Sequence, residues 1–227
     1  MRKRSDDSNW ISIADMMTGL MVIFMFIAIN YIMQVVEFKF IENDVYNALA
    51  KEFKKEIVQN DIQLSANGTV TFNPQDKVLF KLGSNRLTSE FNDILDDFIP
   101  RYLEVISNYG NLEYIKEIRI EGHTDMIPPL SGEDSYSYNL RLSSSRAQSV
   151  LYKLRSSNEF QNLDVKIKKR LEFLFTANGM SFSRALNDSG DVAYLSNDSL
   201  VNNDLSRRVE FRVVTSSDKV AKEIYGE

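Results

Sequence analysis

One run of 23 residues, Ile11 to Met33, carries a single charge, and it constrains the rest of the chain more than any other feature. As a helix rising about 1.5 Å per residue it reaches roughly 34 Å, enough to cross a hydrocarbon core of about 30 Å with a little tilt. Trp10 stands at one end and Tyr31 at the other, where amphipathic rings favour the headgroup level. The basic cluster Arg2, Lys3, Arg4 lies outside the Trp end, so the positive-inside rule puts the N-terminus in the cytoplasm and everything after Met33 across the membrane. A cleaved signal peptide fits less well, because the apolar run is too long and no small-x-small site follows it. The expected layout is a cytoplasmic tail at 1–10, one span at 11–33 in a bacterial inner membrane, and a periplasmic remainder.

Asp15 is the one charge in that run. An aspartate at the centre of a membrane helix costs about 2.5–3.5 kcal/mol on insertion scales and commonly marks an ion path. Thr18 and Gly19 follow at i+3 and i+4, so acid, hydroxyl and a side-chain-free gap share one stripe suited to close helix packing. Asp15 also lies about a turn from the cytoplasmic end, where a headgroup-level charge is an equally good reading. The residue types alone leave both open.

Beyond the span, residues 34–60 keep helical spacing, with Ile41, Val45, Leu49, Phe53 and Ile57 every four residues. This predicts an amphipathic linker helix whose apolar stripe packs either on the soluble domain or, slightly preferred, on a parallel copy in a dimer. The soluble domain spans 61–215. Ile62 to Phe72, centred on Asn67-Gly68, reads as a hairpin, and Ser89 to Ser107 as a helix capped by Ser89 and interrupted by Pro100. Strands are expected at Ile115–Glu121, Arg170–Thr176 and Arg207–Val214, and a helix at Asn139–Leu154. The resulting fold class is an α/β (α+β) sandwich, one mixed sheet against a helical layer. Residues 181–205 and the tail 216–227 read as polar and irregular.

Composition removes several functions. With a net charge of -5 and no basic cluster beyond Arg2 to Arg4, the chain lacks the positive face that direct nucleic-acid binding needs. It has no cysteine, which excludes disulfides, thiolate metal sites and cysteine nucleophiles. Its single histidine, His123, cannot supply the usual cluster of a metallohydrolase, and no pair of carboxylates is marked out for glycoside cleavage. His123 is expected to be a structural hydrogen bonder. No cofactor and no enzymatic activity are expected.

Ala14-Asp15-Met16-Met17-Thr18-Gly19-Leu20-Met21, preceded by Trp10 and followed by VIFMFIAI, resembles the membrane helix of MotB-type stator subunits. Gly122-His123-Thr124-Asp125, the run Asn139 to Ala147 (NLRLSSSRA) and Ser206-Arg207-Arg208-Val209-Glu210-Phe211, with Val78 to Ser84 before them, together resemble the OmpA-like peptidoglycan-binding domain shared by OmpA, Pal and MotB. The short tail, compact linker and span are most similar to the ZorB-type stator subunits of Zorya anti-phage defence. The resemblance implies an ion-translocating Asp15 assisted by Thr18, the ion being a proton in preference to sodium. It implies a homodimer inside a ring of a MotA/ZorA-like multi-span subunit. A flagellar MotB-type stator and a passive OmpA/Pal-like tether are the alternatives.

The wall ligand implied by the same resemblance is a diaminopimelate stem peptide, which carries an ammonium and a carboxylate on one carbon. Its receptor needs a fixed anion facing a fixed cation, here Asp125 and Arg146, with Thr124, Asn139, Leu142 and Arg208 completing the site. Ser206 stands where the family commonly has Asn, so a hydrogen bond to the neighbouring loop is either lost or remade.

Overall fold

The structure is a computed structural model that describes residues 4–72, 78–108, 112, 115–130, 132–196 and 200–215. Arg2, Lys3 and the tail 216–227 lie outside them. The first helix, α1, is Arg4–Glu52, and it contributes to two compact units that divide between Phe40 and Ile41. In the first unit, Trp10–Val36 is long and apolar enough to cross a membrane, and its large apolar side chains, from Trp10 to Val36, are exposed.

The second unit begins with the last turns of α1. Val45, Leu49 and Phe53 are buried in the domain's own core, so the linker stripe packs on the soluble domain and not, as favoured from sequence, on a second copy; the side chain of Ile41 lies outside the described residues. The predicted helix over 34–60 breaks at Phe53 and resumes as α2, Lys54–Val58. Arg101 fastens this corner: Nε donates to Glu52 Oε1 at 2.7 Å, Nη1 to Glu56 Oε1 at 2.6 Å and to Asp97 Oδ2 at 2.9 Å. Its guanidinium also lies 4.6 Å from the centre of the Phe53 ring.

The hairpin forms as β1 (Ile62–Leu64) and β2 (Val70–Phe72). α3 runs Ser89–Asn108 straight through Pro100, and its cap is Thr88 instead of Ser89, with Thr88 Oγ1 accepting from Phe91 N–H at 3.2 Å. There follow β3 (Ile115–Gly122), α4 (Ser135–Ser156), α5 (Asn158–Gln161), α6 (Val165–Leu174), β4 (Phe175–Gly179), α7 (Asn203–Ser206) and β5 (Val209–Thr215). The strand expected at Arg170–Thr176 is thus mostly helix. Asp164 caps α6 through Lys166 N–H at 2.8 Å, and Leu171 and Leu174 bury one helical face.

The sheet order is β1-β2-β5-β3-β4, antiparallel except for the parallel β3–β4 pair. One face carries Phe72, Ile118, Ile120, Val209 and Phe211 into the core. There Phe98 of α3 packs 4.8 Å from Phe72, 5.2 Å from Phe211 and 5.1 Å from Tyr102, centroid to centroid. Strand alternation sends Glu121, Glu210 and Arg212 to the other face, which the segment 183–195 covers in part. This is the mixed sheet with a helical layer that the sequence predicts.

Candidate functional site

Two glycines bring α4 onto the ends of β3 and β4. Gly122 and Gly179 are register partners. A Cβ on Gly122 would lie 2.3 Å from the Ser143 carbonyl oxygen, and one on Gly179 2.5 Å from the Ser144 nitrogen. Only the absence of a side chain lets the helix lie this close. At this contact Asn139, Ser143 and Arg146 share the buried face of α4. Ser143 Oγ accepts from Ser181 N–H at 3.0 Å, and Asp134 caps the helix through Ser137 N–H at 2.8 Å.

Immediately after β3, Thr124 N–H donates to Ser181 O at 3.0 Å. Asp125 Oδ1 accepts from Ile127 N–H at 3.2 Å, and Asn139 Nδ2 donates to Ile127 O at 3.2 Å, so the acid and the helix hold the same loop. Asp125 and Arg146 are 9% and 7% exposed, close enough for the Asp125 charge to support the Arg146 cation against its burial. They do not form a direct ion pair. Asp125 Oδ2 is taken by Arg207 Nη1 at 2.7 Å. Arg146 donates Nε to Ser84 O at 3.1 Å and lies 5.0 Å from the centre of the Phe80 ring; among the described residues its Nη atoms hold no hydrogen bond. An anion and a planar cation fork therefore lie near one another, with the Nη atoms of the fork left to pair with a further acceptor such as a carboxylate. Leu142 is half-buried on the same helix.

Two residues of this site were missed by the sequence reading. Arg207, not Arg208, reaches Asp125. Tyr138 places its hydroxyl near the Gly83 turn, 3.7 Å from where a Cβ on that glycine would sit. The doublet Arg207-Arg208 held the signal, and the choice between its members follows from strand phase. Arg208 instead lies under the far face of the sheet, 5% exposed, with Nε donating to Glu210 Oε1 at 2.7 Å and Nη1 to Arg184 O at 3.2 Å. The Ser206 contact is remade: its Oγ accepts from Leu186 N–H at 2.9 Å and donates to Asn202 O at 2.6 Å.

His123 also departs from expectation. It is 2% exposed, yet among the described residues neither ring nitrogen holds a hydrogen bond. Nε2 lies 3.8 Å from both Glu121 Oε2 and Glu210 Oε1. Burial pushes the imidazole down to about 3, so it is neutral near pH 7. Burial pushes the Glu121 carboxyl up. Burial opposes the Glu210 charge as well, but the Arg208 guanidinium holds that carboxyl below the usual carboxylate range. In the apolar helix, Asp15 and Gly19 are exposed on one stripe, and Thr18 Oγ1 donates to Ala14 O at 2.8 Å.

No family model matches the chain. Among curated proteins it is 34% identical over 240 residues, 100% of this chain and 96% of the relative, to Zorya protein ZorB of Escherichia coli (Crooks strain). The chain belongs to the ZorB family. A second Zorya protein ZorB, from an ETEC strain of Escherichia coli, is 25% identical over 93% of this chain and 83% of its own length. The ZorB fold seen here is shared with a MotB-like protein from Desulfovibrio vulgaris, at a TM-score of 0.52 and 20% identity, covering 81% of this chain and 96% of that one.

Proposed function

We propose that this ZorB-family chain is the wall-anchored stator subunit of a proton-driven inner-membrane motor serving Zorya anti-phage defence. The observation that carries the reading is the 34% identity to Zorya protein ZorB along the whole chain. Two features support it: an apolar helix bearing one acid, and a soluble domain presenting Asp125 beside Arg146.

In this reading two copies sit, N-termini in the cytoplasm, within a ring of a MotA/ZorA-like subunit. Asp15 alternates between neutral and charged forms as its access to water changes, and Thr18 lines its path. Each form favours a different packing of the surrounding helices, which turns proton flow into rotation. The periplasmic domain supplies the fixed point. Arg146 takes the diaminopimelate carboxylate through its open fork, and Asp125 takes the ammonium while sharing its carboxylate with Arg207. Thr124, Asn139 and Leu142 shape the contact, and no catalytic step is involved. Asp15→Asn, co-expressed with the membrane partner, should be made and inserted normally and lose phage protection; full protection at normal protein level would overturn the ion-carrying role.

A further inference from the structure

The face of the sheet away from the helices holds a cavity of about 590 Å³, within the size range of ordinary ligand pockets. Its floor is polar. Arg208, Arg212 and Glu210 come from β5 and its approach, with Glu121 beside them on β3, and Arg184 enters from the covering segment. That cover is built, not loose: Leu186 bridges to Val192, Asn187 Oδ1 accepts from Ser189 and Asp191 N–H at 3.1 and 2.9 Å, and Ser206 holds Leu186 as described. It presents Tyr194 and Leu195 to the cavity while leaving them 77% and 71% exposed.

Three guanidiniums face two carboxylates here. Arg208 is consumed by Glu210 and by backbone oxygens. Arg212 Nη2 donates to Glu210 Oε2 at 3.2 Å, while its buried Nε, with no hydrogen bond among the described residues, lies 3.6 Å from Glu121 Oε1. Arg184 is 3.8 Å from its carboxylate neighbour Glu121, beyond hydrogen-bond reach, and its side chain is 42% exposed. With His123 neutral, the surplus is one positive charge at Arg184 and Arg212. Glu121, His123 and Glu210 have ligand atoms within 4.8 Å of one another, a spacing that suits a metal. A dication there would sit among three guanidiniums, so the charge balance favours an anion.

We propose that this cavity is a second binding site, separate from the Asp125–Arg146 site, and that it takes the C-terminal carboxylate of a short peptide. One surplus charge matches a monoanion, the planar fork matches a carboxylate, Gln63, Thr71 and Ser183 on the walls offer partners for peptide amides, and Tyr194 and Leu195 cover an apolar side chain. A wall stem peptide and an ordinary polypeptide terminus share this chemistry.

The test uses the full-length chain in detergent micelles, titrated with N-acetyl-D-alanyl-D-alanine and with N-acetyl-L-leucyl-L-leucine, each as free acid and as C-terminal amide, and read by saturation-transfer NMR. At least one acid should bind about tenfold or more tighter than its amide, and the preferred acid identifies the source. Arg184→Gln and Arg212→Gln should each weaken that acid about tenfold, and Arg146→Ala should leave it unchanged, which separates this site from the proposed wall site, where Arg146 would hold the carboxylate. Arg184→Gln alone decides the matter if Arg212→Gln does not fold, because the Arg184 side chain lies at the open edge. Equal binding of acid and amide, or unchanged binding by Arg184→Gln, would overturn the proposal. So would saturable zinc binding lost in His123→Ala with no binding of either acid.

Discussion

At the scale of single residues, the fold depends on side chains that are missing as well as on those present. Gly122→Ala puts a methyl 2.3 Å from a backbone oxygen of α4, and backbone cannot rotate away as a side chain can. We expect a loss of about 1–3 kcal/mol, read as a lower melting temperature. Gly19→Ala, with nothing within 4 Å of the new methyl in this chain, should leave that temperature unchanged. His123 gives a pH signature. Its folded value is lowered from 6.5 to about 3, so below pH 6.5 the unfolded chain binds the proton that the folded chain refuses, and stability falls as pH falls. By about pH 5 this amounts to roughly 2 kcal/mol. The raised Glu121 carboxyl acts in the opposite sense, its contribution diminishing as pH rises above 4.5. The His123 effect is therefore read as the difference in denaturant midpoint between the chain and His123→Gln, and a constant difference from pH 7 to pH 5 would contradict the assignment.

Among the elements, the corner where α1 meets α2 is the most exposed to a single change. Phe53 is 1% exposed, 4.9 Å from Phe98 and beneath the Arg101 guanidinium. Phe53→Ala should cost about 3–5 kcal/mol. Arg101→Ala, whose side chain is partly exposed, should cost about 1 kcal/mol after solvent screening and should speed tryptic cleavage at Lys54 and Lys55. Unchanged cleavage would mean that the ion pairs do not hold the linker. This corner also marks what the sequence could reveal. Spacing at Val45, Leu49 and Phe53 shows an apolar stripe but not what covers it, because a helix face has no record of its partner. The segment Leu171 to Phe175 reads equally well with period two or period four, and only the Asp164 cap, seven residues upstream of the ambiguity, resolves it as helix. The Arg207-Arg208 doublet was legible as a site element, whereas which arginine points to Asp125 depends on the phase of β5, fixed by its pairing with β2 and β3.

For the whole molecule, the proposed function requires two sites that act in series and fail separately. If the soluble domain only fixes the chain to the wall and the apolar helix only carries the ion, Asp125→Ala and Arg146→Ala should abolish co-sedimentation with isolated sacculi while leaving membrane insertion intact. Asp15→Asn should pellet with sacculi as the unchanged chain does. All three should lose phage protection, since a stator that slips on the wall delivers no more torque than one that passes no ion. In the proposed function the wall contact is made of charge-assisted hydrogen bonds to ligand charges that stand in solution until they bind, so raising salt from about 0.1 to 1 M should weaken pelleting as screening shortens to about 3 Å, and the two alanine variants should have no salt-sensitive fraction left to lose. Salt-insensitive pelleting by the unchanged chain, or full pelleting by Arg146→Ala, would move the wall contact away from Asp125 and Arg146 even if Asp15→Asn still abolished protection.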